Sequence, residues 1–178
     1  MNLPNKLTIA RVIMIPFFLV FLMTDFFEAA RYVALAIFII ASLTDMLDGK
    51  IARKYNLVTN FGKFMDPLAD KLLVSAAMIC MIELGMLPAW VVIIIIAREF
   101  IISGFRLIAA EKNVVIAAGM SGKIKTTVQM IMCCLLIARL PFNFMRYVEQ
   151  VFIYAALVLT VYSLIVYLVQ NKDVLKDN

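Results

Sequence analysis

The 178-residue sequence contains no histidine, which excludes several kinds of enzyme chemistry at the outset. Without imidazole there is no histidine general base, no histidine metal ligand and no phosphohistidine intermediate. Acid–base chemistry and metal binding must therefore fall to carboxylates. Glycine and proline are also scarce, at 6 and 5 residues, and the chain has no low-complexity run and no internal repeat.

Cysteine is rare as well, and its three positions do not have the spacing of a metal site. Cys80, Cys133 and Cys134 all lie in apolar runs. We interpret them as buried thiols in a reducing compartment.

Apolar residues, by contrast, make up 65% of the chain. A soluble domain of this length has too little interior to bury so many, so lipid must solvate much of the surface. The length suits one compact helical bundle. We therefore predict a single all-α integral membrane domain over residues 1–178.

The apolar runs predict six transmembrane helices. They lie at about 8–24, 31–52, 66–84, 88–108, 123–139 and 149–170. Only the sixth contains an uncharged stretch, 150–171, that is long enough to cross the hydrocarbon core. The first run follows Lys6 and Arg11 and lacks a small-residue cleavage site, so we expect a retained helix with an interfacial segment before it.

The basic residues predict the orientation of these spans. Six spans put both termini on one face, and if that face is cytoplasmic it receives fourteen of the 17 Lys and Arg residues. The opposite face keeps only Arg31, Arg139 and Arg146. The positive-inside rule therefore predicts that both termini are cytoplasmic.

Four aspartates between residues 45 and 70 fall on the same predicted face and form two pairs with helical spacing. Asp45 and Asp48 are i, i+3 at the end of the second span, so their carboxylates share one helix face. Asp66 and Asp70 are i, i+4 near the start of the third span. Asp66 before Pro67 is typical of an N-cap, and a helix that starts earlier is the alternative. A short turn would bring the two pairs together.

Four converging carboxylates repel one another unless cations neutralise them, so the pattern predicts a divalent-metal site. Oxygen ligands favour Mg²⁺, Mn²⁺ or Ca²⁺ over zinc, and two such ions can orient a pyrophosphate. Gly49 and Gly62 leave room for a nucleotide or its phosphates to approach the backbone. The alternative is that the four aspartates are solvated helix ends at the cytoplasmic surface.

The segment matches, at every fixed position, the 26-residue pattern D-x2-D-G-x2-A-R-x8-G-x3-D-x3-D. This pattern is the signature of the CDP-alcohol phosphatidyltransferases, and the chain resembles that family. The resemblance implies a six-helix membrane bundle, usually a homodimer, that holds two Mg²⁺ or Mn²⁺ ions. It implies that Asp45, Asp48 and Asp66 bind metal, while Asp70 is the general base and also contacts metal. The residues that it implies for the CDP group are Asp48, Gly49, Ala52, Arg53 and Gly62.

The implied reaction agrees with the absence of histidine. An acceptor hydroxyl must lose a proton to attack, and a carboxylate within hydrogen-bond reach accepts it. The hydroxyl attacks the β-phosphate of the CDP-lipid and releases CMP. No covalent enzyme intermediate is needed, and no Ser–His or Cys–His pair is available to form one.

The N-terminal stretch Pro4-Asn5-x-Leu-Thr8-x2-Arg11 resembles the phosphatidylglycerophosphate synthases, the branch of the family whose acceptor is glycerol 3-phosphate. By that resemblance Asn5, Thr8 and Arg11 reach the nucleotide or its phosphates. The alternative is a helix cap together with a positively charged anchor at the membrane surface.

Charged residues inside the fourth span are energetically costly. Arg98 and Glu99 are adjacent, so we expect them to point to different sides and not to neutralise each other. Glu99 is expected to pair with a neighbouring helix and to leave an arginine available for an anion.

The patterns A-R-E-F, G-x-R and G-K-x-K-T again resemble the phosphatidylglycerophosphate synthases. The residues expected to bind the acceptor phosphate are Arg98, Arg106, Lys123 and Lys125. For the two lysines a positive-inside flank is the alternative.

We therefore expect an enzyme of the bacterial cytoplasmic membrane, with its active site facing the cytoplasm, that transfers a phosphatidyl group from CDP-diacylglycerol to glycerol 3-phosphate. Its expected partners are these substrates, membrane lipids and a second copy of the chain, but no nucleic acid. Inositol phosphate is the alternative acceptor. A small transporter or ion-binding channel is the alternative class, but a pore needs charge distributed along its length, and this chain concentrates charge at one interface.

Overall fold

The computed structural model describes residues 2–24, 26–27, 29–54, 59–112, 114, 116 and 119–172, without the side chains of 3–4, 45–54, 60–61 and 63–64. Within these residues the chain forms six α-helices. They are α1 (Leu3–Met23), α2 (Ala30–Lys54), α3 (Asn60–Glu83), α4 (Ala89–Glu111), α5 (Met120–Ala138) and α6 (Met145–Gln170). Each helix overlaps one predicted span, so the all-α class is confirmed.

Two helices, α1 and α3, begin about five residues or more before their predicted spans. The residues predicted as an interfacial segment are the first turns of α1, which is capped by the side chain of Asn2. Helix α3 begins at Asn60, because the Thr59 hydroxyl accepts a hydrogen bond from the backbone N–H of Gly62 and caps the helix there. The N-cap prediction for Asp66 is therefore wrong. Pro67 lies inside α3, although its missing N–H removes one hydrogen bond of the helix.

The contacts divide the chain into two compact units, which we describe separately. The first unit is Met1–Met86 with Cys133–Arg139, and the second is Leu87–Met132 with Leu140–Asn178. In the first unit α1 packs against α2 and α3, and in the second α4 packs against α6.

Helix α1 has one buried face, and that face changes character along its length. Its buried side chains recur every three or four residues, as one face of a helix requires. They are Asn5, Thr8, Arg11, Ile15, Phe18 and Leu22. The first half of the face is polar and the second half is apolar. The apolar half supplies ordinary packing, and the polar half needs polar partners in the helices that cover it.

The apolar half of α1 meets a stripe of small residues on α2. Ala34 and Ala41 are fully buried there, and small side chains allow helix backbones to approach closely. Between them Phe38 contacts Phe18 of α1 with ring centroids 5.6 Å apart. Helix α3 ends at a left-handed turn, in which Gly85 has φ 68° and Met86 donates its N–H to the carbonyl of Met81.

The second unit contains a compact apolar cluster between α4 and α6. Ile102, Phe105 and Tyr167 are buried at its centre, and the rings of Phe105 and Tyr167 meet edge to face at 5.6 Å. This contact holds the C-terminal half of α4, the helix that carries Arg98 and Glu99.

Three helical segments are long and apolar enough to span a membrane among the described residues. They are Asn5–Met23, Met120–Ala138 and Met145–Gln170. Large apolar side chains such as Phe17 and Ile93 are exposed, as expected where lipid is the solvent. Helices α2, α3 and α4 carry more charge, so the six-span topology and the location of the termini stay predictions.

Candidate active site

The four aspartates of the signature lie on two successive helices of the first unit. The backbone of α2 is helical through Asp45 and Asp48, which places them one turn apart. Their side chains, and those of Ala52 and Arg53, lie outside the described part of the structure, and Gly49 is known only as helical backbone. Asp66 and Asp70 are one turn apart on α3, and both are half-buried. The predicted pairing along each helix therefore agrees with the helical backbone.

Asp66 makes a direct contact with the polar face of α1. The hydroxyl of Thr8 donates a hydrogen bond to Oδ1 of Asp66, with 2.5 Å between the oxygens. Thr8 is 0% exposed, so its hydroxyl is shielded from water, whereas Asp66 is half-buried. Hydrogen bonds to a charged acceptor are shorter and stronger than those between neutral groups. One oxygen of the aspartate is therefore held by a helix 58 residues earlier in the chain.

A second contact joins the beginnings of α1 and α3 next to the first. Thr59 donates its hydroxyl hydrogen to Oδ1 of Asn5 at 2.9 Å, and the same Thr59 oxygen accepts from the N–H of Gly62 at 3.0 Å. Asn5 is 7% exposed. The residue that caps α3 therefore also binds α1, which fixes the two helix starts against each other.

Gly62 lies at the centre of these contacts. A Cβ at this position would lie 3.3 Å from Oδ1 of Asn5 and 3.4 Å from both Oδ2 of Asp66 and Oγ1 of Thr59. These distances are at the tight end of normal packing. Glycine therefore allows the three polar groups to surround the first turn of α3 closely.

The described part of the site provides half of the carboxylates that the signature implies for a metal. Among the described side chains no three His, Cys, Asp or Glu residues form a group that could hold a metal ion. Asp66 and Asp70 are hard oxygen donors on one helix face, which suits Mg²⁺ or Mn²⁺. The residues present therefore fit such an ion, provided that the side chains of Asp45 and Asp48 complete the set.

The second unit contains a buried charge cluster formed by Arg98 and Glu99 of α4 and Lys125 of α5. Arg98 donates through Nη1 to Oε1 of Glu99 at 3.0 Å, and Lys125 donates through Nζ to the same oxygen at 2.5 Å. The predicted pairing of Glu99 with a neighbouring helix is confirmed. The expectation that Arg98 and Glu99 do not neutralise each other is wrong, because their long side chains bend toward each other although their Cβ atoms diverge.

This cluster carries more positive than negative charge. Arg98 is 7% exposed and Lys125 is 1% exposed, and a single carboxylate contacts both. Within the described residues Nε of Arg98 is buried without a hydrogen-bond partner. Its Nη2 lies 3.5 Å from where a Cβ of Gly122 would stand, so the glycine leaves space beside the guanidinium. A buried group of net positive charge with an unused donor favours an anionic ligand.

The other two predicted phosphate-binding residues lie outside this cluster. Arg106 is two turns further along α4, is exposed, and has its guanidinium carbon 5.8 Å from the centre of the Tyr167 ring. Lys123 is also exposed. The structure therefore brings together Arg98 and Lys125, and it does not bring Arg106 or Lys123 into contact with them.

Two residues of these sites were absent from the predicted set. Thr59 had a usable signal, because threonine before a helical pattern is a typical N-cap, but Asp66 before Pro67 was the stronger pattern. Glu99 was recognised as a costly charge, yet its role in joining two cations depends on α5, which is distant in sequence. No local pattern predicts such a contact.

Comparison with known families identifies the class of protein. The family model described as "CDP-alcohol phosphatidyltransferase" matches residues 1–162. The chain therefore belongs to the CDP-alcohol phosphatidyltransferase family. Proteins of this family are membrane transferases of phospholipid synthesis that generally use divalent metal ions.

Individual relatives share most of the chain. A Bacillus subtilis protein named CDP-diacylglycerol–glycerol-3-phosphate 3-phosphatidyltransferase is 45% identical, with 99% of this chain and 98% of the relative aligned. A Haemophilus influenzae protein of the same name is 41% identical, with 99% and 97% aligned. A Rickettsia typhi protein, also of that name, is 44% identical over 76% of each chain.

Removal of the Glu99 charge should destabilise the second unit. In Glu99→Gln the neutral amide no longer balances Arg98 and Lys125, and loss of one member of a buried ion pair costs about 3 kcal/mol. We expect a lower midpoint of unfolding by SDS in mixed micelles. Glu111→Gln is the matched control, since Glu111 is exposed on the same helix. Equal midpoints for the two variants would contradict a structural role for the Glu99 carboxylate.

Proposed function

We propose that the protein transfers the phosphatidyl group of CDP-diacylglycerol to glycerol 3-phosphate, giving phosphatidylglycerol phosphate and CMP. The observation that carries this proposal is the complete aspartate signature in a chain that aligns over 99% of its length with relatives named for this reaction.

We assign the metal site to Asp45, Asp48, Asp66 and Asp70. Their carboxylates suit two Mg²⁺ or Mn²⁺ ions, because hard cations prefer oxygen ligands. When bound, such ions neutralise the pyrophosphate and stabilise the charge that develops on the leaving CMP. We assign binding of the CDP group to the residues of the signature around its two glycines. They are Asp48, Gly49, Ala52, Arg53 and Gly62.

We assign the proton transfer to Asp70. Its carboxylate accepts the proton of the acceptor hydroxyl as the hydroxyl oxygen bonds to the phosphorus that carries diacylglycerol. The bond from that phosphorus to the bridging oxygen breaks, and CMP leaves with the bridging oxygen. The half-burial of Asp70 supports this assignment, because a base must reach a water-soluble acceptor. In a chain without histidine, a carboxylate is a suitable general base because it is already deprotonated at neutral pH.

We assign the acceptor phosphate first to Arg98 and Lys125. Both are buried, and the carboxylate of Glu99 contacts both. A phosphate would accept a hydrogen bond from the Nε of Arg98, which has no partner among the described residues. Arg106 and Lys123 stay in the proposal as exposed cations that attract the anionic acceptor to the protein.

The proposed setting is the bacterial cytoplasmic membrane. We propose six spans, both termini in the cytoplasm, an active site on the cytoplasmic face, and a homodimer. The distribution of basic residues supports this orientation.

The test of the function is CMP release by the purified protein. Labelled CDP-diacylglycerol is supplied with Mg²⁺ or Mn²⁺ and, in separate reactions, with glycerol 3-phosphate, inositol phosphate, serine or no acceptor. We expect CMP and a phosphorylated lipid product only with glycerol 3-phosphate. No release with any acceptor would contradict the enzyme proposal, and release only with inositol phosphate or serine would contradict the acceptor.

Asp70→Asn should separate base catalysis from substrate binding. The amide cannot accept the proton, and loss of a general base costs roughly 10²–10⁴-fold in kcat. We expect CDP-lipid binding, measured by equilibrium dialysis with Mg²⁺, to stay close to the unmodified protein. Asp48→Asn is the comparison, and its binding should fall. If Asp70→Asn loses binding to the same extent, Asp70 is chiefly a metal ligand.

A further inference from the structure

We propose that Thr8 is a positioning residue for the metal-binding carboxylate of Asp66, and that it does not contact the CDP-lipid. The proposal rests on the proposed function in one respect, namely that Asp66 is a metal ligand. It gives the polar face of α1 a role in setting the geometry of the site.

The hydrogen bond from Thr8 distinguishes the two oxygens of the aspartate. Oδ1 accepts the hydroxyl hydrogen, and Oδ2 lies on the side of Gly62. Rotation of the carboxylate would break a part-buried, charge-assisted hydrogen bond, so this bond favours one orientation of the group. Oδ2 is then the oxygen that remains for an ion. Removal of a hydrogen-bond partner of a metal ligand commonly weakens metal binding by roughly 10–100-fold.

The behaviour of other hydroxyls in the structure makes this contact distinctive. Thr44, Thr126 and Thr160 each donate to the carbonyl four residues earlier in their own helix. That local bond is the usual solution for threonine in an apolar helix. Thr8 donates to a carboxylate on a different helix. This contact therefore depends on how α1 and α3 pack.

The surroundings of Thr8 make it suitable for positioning. Asn5 lies one helical turn before Thr8 on α1 and accepts a hydrogen bond from Thr59. This bond fixes the start of α3 against the first turns of α1. Thr8 is fully buried and β-branched, so its side chain has few rotamers available. A donor that is held by both packing and a neighbouring hydrogen bond can impose its direction on Asp66.

The test is Mn²⁺ binding by the full-length protein in detergent micelles without any CDP-lipid, measured by electron paramagnetic resonance. Thr8→Val removes the hydroxyl at nearly constant volume, and we expect Mn²⁺ to bind at least about tenfold more weakly. Thr8→Ser keeps the hydroxyl, and we expect affinity within about threefold of the unmodified protein. The Mn²⁺ concentration for half-maximal CMP release should shift in parallel.

Thr160→Val is the matched control. Thr160 is also 0% exposed, but its hydroxyl donates only to the carbonyl of Ala156 in its own helix. We expect unchanged Mn²⁺ affinity in this variant. A loss equal to that of Thr8→Val would show a general effect of burying valine and would overturn the proposal.

The remaining outcomes separate the proposal from the proposed function. No Mn²⁺ binding by the unmodified protein would contradict the metal site itself. If the unmodified protein binds Mn²⁺ and Thr8→Val binds it with equal affinity, only the role of Thr8 is overturned. A raised KM for CDP-diacylglycerol at unchanged Mn²⁺ affinity would also overturn it and assign Thr8 to the lipid. If Thr8→Val does not fold, Thr8→Ser still decides, because a tenfold loss there shows that the hydroxyl is not the important group.

Discussion

The structure depends on one constraint, which is that charge within apolar helices must be paired or bound by a ligand. In the first unit this constraint explains why α1 begins with a polar buried face. Thr8 meets Asp66, and Asn5 meets the residue that caps α3. In the second unit the same constraint explains why one carboxylate, Glu99, contacts two buried cations. Both arrangements keep charge inside the protein, where it is useful for binding ions.

The aspartate signature of the first unit and the Arg98–Glu99–Lys125 cluster of the second have opposite charge, and each suits one part of a phosphate-transfer reaction. The aspartates of the first unit would repel one another without cations, so they favour divalent metal. The buried cluster of the second unit has an excess positive charge and an unused donor on Arg98, so it favours an anion. A phosphatidyltransferase needs both, because it handles a metal-bound pyrophosphate and, in the proposed reaction, a phosphate-bearing acceptor.

Much of the fold and of the candidate site could be predicted from the sequence, and the wrong predictions have physical causes. The six helices followed from apolar runs, and the aspartate signature was complete. The start of α3 was misplaced because Pro67 is a strong local signal, yet a helix tolerates the loss of a single hydrogen bond. The Arg98–Glu99 contact was missed because helical spacing describes Cβ positions and not the reach of long side chains. The contact of Thr8 spans 58 residues and has no local signature.

The central claim is that the aspartates of α2 and α3 share one metal site. Fe²⁺ bound at a Mg²⁺ site generates hydroxyl radicals with ascorbate and peroxide, and these cleave the backbone near the ion. We expect cleavage of the purified protein around both Asp45–Asp48 and Asp66–Asp70, mapped by mass spectrometry and suppressed by excess Mg²⁺. Cleavage at only one of these segments, or cleavage that Mg²⁺ does not suppress, would contradict a shared site.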